Sequence, residues 1–557
     1  MKLRNWQQSA REKCINYFRD DEDGRHFVIN AAPGAGKTKV SCVIAQDLLQ
    51  AGQIDRVIII APRRTVVTQW AKEFAAVTGH HMMQITAADS VGLISENVCA
   101  TWAAIKGLAD VFQDICRTAR VLVICDEHHH AAIEAAWGIS ADSAFASARY
   151  SLILTGTPVR SDGAQSIWLD RNELGGLAHP EGGMYTLTYG EAVGLGYCRP
   201  VTFHRHRGRF TVKIEDSETI EVSGDTPVVL PAKHPATQSL KRSLDFYRLA
   251  ITPQFEADHK TPRRDGYQGT MIACACDKLD ELRLLMPAAG GLVIAPDINM
   301  AEHFAELIRM IDGQEPMVVH SGLPNAERRI DAFRADSSTR WLVAVGMVSE
   351  GVDIQRLRVL VYLPKAMTEL AFRQAVGRVV RSAGPDDCSG AYVVMPSCVI
   401  FEDFARRIED DMPAWIATAP GAPKIKACKH CGCPNPVDAG RCDGCGVEFS
   451  TREGRFVVCP GCKGLNPEAE AACQHCGTVL MPEYEITLND AGRDGVIVRG
   501  IEVEEDEVRR AEQLAPGHLK RMGEIEDKSL RRLLKTIPVE LLPALERLLR
   551  MDPSQGS

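Results

Sequence analysis

No stretch of the 557 residues approaches the roughly 18 consecutive apolar positions that a bilayer-spanning helix needs, although 45% of the chain is hydrophobic. The opening residues, MKLRNWQQSAREKCINYF, contain no apolar run of the kind that makes an export signal. Both absences lead to the expectation of a cytoplasmic protein with no membrane partner. An excess of basic charge is also missing. Sixty-four Lys and Arg against 73 Asp and Glu give a net charge of -9 and a pI near 6.0. That excludes a uniformly basic nucleic-acid coat protein, while a local basic groove stays open. A disulfide framework is excluded by placement: of nineteen cysteines, nine crowd between Cys428 and Cys476 and ten are scattered, which reads as metal binding. There is no nuclease constellation, so cleavage of a nucleic acid would need another subunit.

The length suggests roughly three or four domains. From residue 26 short β-rich runs alternate with helical stretches: HFVINA, KTKVSCVIAQDLLQAG, RVIIIAP, TVVTQWAKEFAAVTG, RVLVICDE, YSLILTGTP. Val40, Ile44 and Leu48 recur at i, i+4, i+8, and Gly52 follows as a stop. The alternation predicts a parallel sheet covered on both faces. It breaks over 199–268 and resumes with GGLVIAP, NMAEHFAELIRMI, PMVVHS, RWLVAVGM and RVLVYLP. The expected organisation is an ATP-binding α/β domain over 1–198, a linker or accessory element over 199–268 and a second α/β domain over 269–415. A cysteine module over 425–480 and a mostly helical region over 481–557 follow.

AAPGAGKT, Ala31 to Thr38, sits between a strand and a helix, where a phosphate-binding loop belongs. Gly34, Ala35 and Gly36 allow a tight turn whose N–H groups face phosphates; Lys37 reaches the β and γ oxygens, and Thr38 offers its hydroxyl to Mg²⁺. A site that hydrolyses ATP also needs an acid for Mg²⁺ and one for the attacking water. VLVICDE places Asp126 and Glu127 at the end of an apolar strand, where a doubly wound sheet puts its ligand-facing residues. Three histidines, His128 to His130, follow directly and suggest a metal centre by composition. The two acids, however, already have a use at the nucleotide.

DEHH, LTGTPVR at 154–160, SEGVDI at 349–354 and QAVGRVVR at 374–381 occur in an order and spacing that resemble superfamily 2 helicases and translocases of the DExH type, over about residues 1–400. YGEAVGLGYCRP resembles the branch containing restriction-enzyme motor subunits and DNA-repair helicases. The resemblance implies two tandem RecA-like domains closing on ATP. It assigns Gln7 to the adenine, Gly351 and Asp353 to the nucleotide, and His129, Thr155 and Thr157 to coupling. Nucleic-acid backbone contacts fall to Arg63 or Arg64, Thr101 and His320. Gln374, Arg378 and Arg381 lie at i, i+4, i+7 and so share a helix face; arginines delivered to a γ-phosphate are worth about 10³ to 10⁵ in rate. The family's Gln-Arg pair is Gln374-Ala375 here, so one such contact is absent.

Cys428, Cys431, Cys442 and Cys445 are spaced C-x₂-C-x₁₀-C-x₂-C, and Cys459, Cys462, Cys473 and Cys476 repeat the framework 31 residues later. Four thiolates suit tetrahedral Zn²⁺, so two zinc ions are expected. Cys433 is a spectator, and His430 and His475 are minor alternatives as ligands. The pair resembles double zinc ribbons, too small to fold without metal. The ribbons or the helical tail could grip nucleic acid or dock a protein. The resulting expectation is an ATP-dependent helicase or translocase with DNA favoured over RNA. An RNA helicase, or a recruitment protein switched by ATP, is the alternative.

Overall fold

The chain is described by a computed structural model. It covers residues 3–20, 24–62, 64–86, 94, 96–127, 141–156, 168, 179, 181–213, 219–224, 244–320, 322–323, 325–345, 354–384, 387, 389–412, 425–427, 434–436, 456–459, 461–462, 464–467, 470–487 and 498–499.

In the first unit α1 (Asn5–Asp20), β1 (His26–Ala31), α2 (Lys37–Gln50), β2 (Arg56–Ala61), α3 (Arg64–Thr78), β3 (Met82–Ile85), β4 (Asn97–Thr101), α4 (Trp102–Thr118), β5 (Val121–Cys125), β6 (Tyr150–Thr155), β7 (Met184–Leu187) and α5 (Tyr189–Gly194) follow one another. The seven strands form one sheet in the order β3-β4-β2-β5-β6-β1-β7, with every pairing parallel. The β2 sequence RVIIIA shows why no strand alternates apolar with polar. Val57, Ile59 and Ala61 face a core shared with α1, α2 and α3, while Ile58 and Ile60 face one shared with α4. A sheet covered on both faces needs apolar residues at every position. Val40, Ile44 and Leu48 are buried along α2 as their spacing predicts.

Beyond the first unit come β8 (Val201–His206), the antiparallel pair β9 (Arg209–Lys213) and β10 (Thr219–Ser223), α6 (Phe246–Ala250), α7 (Tyr267–Leu285), β11 (Gly290–Ile294), α8 (Ile298–Asp312), β12 (Met317–His320), α9 (Ala326–Ala335), β13 (Trp341–Val345), β14 (Leu357–Tyr362), β15 (Ala366–Met367), α10 (Glu369–Val379), β16 (Ala391–Pro396) and α11 (Val399–Asp410). The second sheet runs β12-β13-β11-β14-β16-β8 and is also all parallel. The two sheets give the tandem RecA-like α/β architecture that the motif order implies.

Two stretches differ from the expectation. Within 199–268, β8 is an integral edge strand of the second sheet, paired over its whole length with β16. PVTFHRHRGRF hides this because Arg205 and the two histidines look solvent-facing. Arg205 instead pairs with Glu402 and Glu409 of α11, and His206 is buried against Tyr267. The region 481–557, expected to be mostly helical, opens with β21 (Glu483–Thr487), which extends the β9–β10 pair in parallel. Tyr484 and Ile486 alternate inward from Glu483 and Glu485. The Tyr484 ring lies 5.8 Å from Phe210 and 5.4 Å from Tyr267, and its hydroxyl shares a 2.8 Å hydrogen bond with Thr270. The helical pattern that dominates that region, residues 527–551, lies outside the described residues.

Tyr484 therefore fastens the segment after the cysteine repeat to the second α/β unit. Tyr484→Ala should cost about 3–5 kcal/mol in a urea unfolding titration, whereas Tyr484→Phe, which loses only the hydroxyl contact, should cost about 1 kcal/mol.

Candidate functional site

The phosphate loop follows β1 directly. Gly34 and Gly36 take φ values of +80° and +103°, in the left-handed region that side chains disfavour. Gly36 is thereby the N-cap of α2, which Lys37 begins. Lys37 Nζ donates to Ala31 O at 2.9 Å, across the base of the loop. The loop is also held from α1, which requires Gln7 near a backbone group: Gln7 Nε2 donates to Gly36 O at 3.0 Å. Arg4 Nη1 donates to Ala35 O at 3.0 Å.

Asp126 leaves the end of β5 into the same cleft, and its environment is built to hold it still. Trp70 of α3 donates its indole N–H to Asp126 Oδ2 at 2.7 Å. Trp102, the first residue of α4, donates to Asp126 O at 3.1 Å, and Glu127 N–H donates to Asp126 Oδ1 at 3.1 Å. Glu127 adopts φ +47°, a conformation that non-glycine residues adopt at a cost and that clusters at functional sites. Burial and the adjacent Glu127 push the Asp126 carboxyl up to about 6. Two carboxylates and a threonine hydroxyl lining one cavity are a hard-oxygen donor set that suits Mg²⁺.

The far wall of the cleft belongs to the second unit. Thr368 caps α10 by accepting from Ala371 N–H, and the helix carries Gln374, Arg378 and, just past its end, Arg381 toward the phosphate loop. α10 comes so close that a Cβ added at Gly377 would lie 2.8 Å from Pro33. One cavity of about 290 Å³ is lined by Gly34, Gly36, Lys37, Thr38, Asp126, Glu127, Gly156, Gln374, Arg378 and Arg381. Nine of the residues expected from sequence thus meet around one space, all but Gly156 in that set.

The other expected residues divide into two groups. Ala35 is fully buried in the turn, and Thr155 ends β6 just before Gly156. Arg64 begins α3 and Thr101 is the N-cap of α4, so both sit at helix N-termini on the edge of the first sheet where the strands end; His320 ends β12 in the second sheet. Arg63, His129, Thr157, Gly351 and Asp353 lie outside the described residues. Sequence reasoning missed Trp70, Arg4 and Gly377. Trp70 is indistinguishable in the sequence from an apolar core position on an amphipathic helix, and the aim of its N–H is a tertiary fact.

Of the two cysteine frameworks, the four cysteines of the first, Cys428, Cys431, Cys442 and Cys445, lie outside the described residues. In the second, the thiols of Cys459, Cys462, Cys473 and Cys476 lie within 4.8 Å of one another. Cys459 and Cys476 sulfurs are 3.5 Å apart, as are those of Cys462 and Cys473. That is far beyond a disulfide bond and close to the roughly 3.8 Å edge of a tetrahedron with Zn–S bonds of about 2.3 Å. Backbone N–H groups of Cys462 and His475 and the amide of Asn466 point at the sulfurs, the pattern that supports thiolates. The His475 ring bonds Leu465 O at 3.1 Å through Nε2, and the clustered ligand atoms are the four sulfurs.

Residues 1–160 match the family described as type III restriction enzyme, res subunit, and residues 276–383 match the helicase conserved C-terminal domain. An uncharacterized protein of Mycobacterium tuberculosis is 32% identical over 397 residues, covering 70% of this chain and 61% of that protein. An uncharacterized Mycobacterium leprae protein is 31% identical over 395 residues with the same coverage. The chain spans about three fifths of the length of these curated relatives. Among solved structures, an ATP-dependent type ISP restriction-modification enzyme, LlaBIII, bound to DNA is 15% identical, with TM-score 0.48, over 71% of this chain and 28% of that one. S. cerevisiae Dbp5 bound to RNA and ADP BeF3 is 12% identical, with TM-score 0.43, over 73% and 91%.

The raised Asp126 pKa has a thermodynamic sign. Its ordinary value is 3.8 and its folded value about 6, so the carboxyl's contribution to stability is fully present at low pH and lost as pH rises through about 6. Relative to Asp126→Asn, the wild type should therefore lose about 2–3 kcal/mol of stability in metal-free buffer as pH rises from about 4 to about 8. Denaturant titrations of both proteins across that range measure it; a pH-independent gap would contradict the assignment.

Proposed function

We propose that this chain, a superfamily 2 helicase-like protein of the restriction-motor kind, hydrolyses ATP between its two α/β units and converts each cycle into movement along nucleic acid. The observation that carries the reading is the single cavity into which one unit delivers Lys37, Thr38, Asp126 and Glu127 and the other delivers Arg378 and Arg381. Neither wall is a complete ATPase site by itself.

In this reading Gln7 selects adenine while fixing Gly36, and the N–H groups from Gly34 to Thr38 receive the phosphates together with Lys37. Mg²⁺, which Thr38 and Asp126 would hold, supplies charge neutralisation at the β and γ oxygens. Glu127 orients and deprotonates the attacking water. Arg378 and Arg381 stabilise the charge that builds on the γ-phosphoryl group, so hydrolysis requires the cleft to be closed and product release lets it open. Thr155, leaving β6 beside Gly156, stands next to the phosphate loop and is suited to couple the nucleotide to the strand, in company with His129 and Thr157. Gly351 and Asp353 are assigned to the nucleotide across the cleft.

The track for the nucleic acid is the edge of the two sheets where the strands end. α3 and α4 start there, at Arg64 and Thr101, and helix N-termini attract phosphate. Arg63 and His320 complete the proposed backbone contacts. DNA is favoured over RNA because the first unit matches a restriction-enzyme subunit. The cysteine modules would hold two zinc ions. The strand pair flanking the first two cysteines of the first framework, β17 (Ile425–Ala427) with β18 (Pro434–Pro436), is reproduced 31 residues later by β19 (Phe456–Val458) with β20 (Leu465–Pro467), in the same register. They could grip nucleic acid beside the motor or dock a protein.

ATP turnover of the purified chain, measured alone and with single-stranded DNA, duplex DNA and RNA, tests the reading: DNA should stimulate most. Stimulation by RNA alone would move the substrate, and no stimulation by any of them would end the translocase proposal. Glu127→Gln should keep ATP binding and lose hydrolysis by about 10² or more. Metal analysis should find about two zinc ions per chain, one of them lost in Cys459→Ser and both in the variant that also carries Cys428→Ser.

A further inference from the structure

The chain leaves the first unit through Tyr197, Cys198 and Arg199, and these three consecutive residues touch both walls of the ATP cleft. The Tyr197 ring lies 4.6 Å from the Arg4 guanidinium, the group that holds Ala35 O of the phosphate loop. Cys198 donates its thiol to Pro33 O in the same loop at 3.4 Å and forms an antiparallel bridge with Arg381. Arg199 O accepts from the Tyr189 hydroxyl of α5 at 2.6 Å, while its side chain is sealed inside the second unit with no exposure.

There the guanidinium uses each of its N–H donors. Nη1 donates to Val379 O at 2.9 Å and Leu357 O at 3.3 Å. Nη2 donates to Gln355 O at 2.9 Å and meets Asp387 at 2.6 Å, and Nε donates to Asp387 at 2.8 Å. The Arg199 backbone N–H adds a 2.6 Å bond to Val380 O. Val379 and Val380 close α10, and the carbonyls of a helix's last turn have no partner inside the helix. Arg199 supplies that partner to both. The same turn carries Arg378 and, one residue after Val380, Arg381. Tolerance there is small: a Cβ on Gly34 would lie 2.7 Å from Arg381 Cγ.

We infer that Arg199 is a positioning residue for ATP hydrolysis, capping the last turn of α10 so that Arg378 and Arg381 meet the phosphate loop, with Tyr197 and Cys198 tying that loop to the same linker. The inference rests on the ATPase reading above. It goes beyond it by placing control of the arginines in the linker instead of in α10 alone. A buried planar fork satisfied on every side is what arginine can do and lysine cannot, because lysine brings one point charge with three donors on a flexible stem.

Arg199→Lys keeps a cation beside Asp387 and loses the fork. It should lower kcat for ATP by about 10- to 100-fold, the scale on which catalytic groups displaced by about 1 Å fail. KM should stay within about threefold, because the ATP-binding groups on the first wall are untouched. Asp387→Asn, which leaves the carbonyl bonds of Arg199 in place, should show a smaller kcat loss in the same direction and serves if Arg199→Lys folds poorly. In an Arg381→Ala background Arg199→Lys should cost several-fold less than in the wild type, since part of its effect runs through Arg381 and only the remainder through Arg378. A purely structural arginine would instead give multiplying losses, and that result, or wild-type kcat in Arg199→Lys, overturns the inference. Absence of ATP turnover in the wild type would overturn the proposed function and this inference with it; turnover equal in wild type and Arg199→Lys would overturn the inference alone.

Discussion

Parallel strand pairing is the constraint on which the rest depends. When every strand of a sheet runs the same way, all strand-to-helix turns emerge on one edge. In the first unit that edge receives the phosphate loop after β1, Pro62 after β2, Thr101 at the end of β4, Asp126 and Glu127 after β5 and Gly156 after β6. These residues are distant in sequence, and no local interaction would assemble them. The order β3-β4-β2-β5-β6-β1-β7 seats β5, β6 and β1 side by side, so the acids, Gly156 and the phosphate loop are neighbours by topology. On the other side of β5, β2 and β4 carry the helix N-termini proposed to meet the nucleic acid. The cleft and that proposed track thus lie along one edge of the sheet.

The second constraint is electrostatic. The first unit concentrates two carboxylates in a low-dielectric recess, with Asp126 pushed toward its neutral form, and the second aims two arginines at a lysine-bearing loop. In the proposed cycle a divalent cation would add to the carboxylates and a polyphosphate to the cations on both walls. The ligand proposed to bridge the two walls is the one whose cleavage would remove the bridge.

Much of this was legible in the sequence, for identifiable reasons. Residues proposed to meet phosphate or Mg²⁺ have short, local chemistry, so Gly34, Gly36, Lys37, Thr38 and Asp126 announce themselves as GAGKT and DE, and the shared face of Gln374, Arg378 and Arg381 follows from helix periodicity. The continuous apolar runs gave away strands buried on both faces. What escaped is residues whose role lies in a distant partner. β8 reads as polar because Arg205, His204 and His206 find their partners on α11, Tyr392 and Tyr267. β21 reads as an acidic stretch because only every second residue is apolar. Arg199 reads as one more arginine before a proline; its worth depends on the carbonyls of Gln355, Leu357 and Val379, which no spacing encodes.

β21 also changes how the cysteine modules stand toward the motor. Cys476 is separated from Glu483 by six residues, and β21 is pinned by Tyr484 to Phe210 and Tyr267, the latter at the start of α7. The same tyrosine hydroxyl meets Thr270 one turn further along that helix. Arg209 N–H also donates to Pro482 O at 2.9 Å, so the end of the short connection next to β21 is fixed. A four-sulfur site that close to a pinned strand cannot wander far from the second unit: at about 3.5 Å per residue, the seven steps from Cys476 to Glu483 span at most about 25 Å. β21 sets where the module is held, against the second unit that also carries α10.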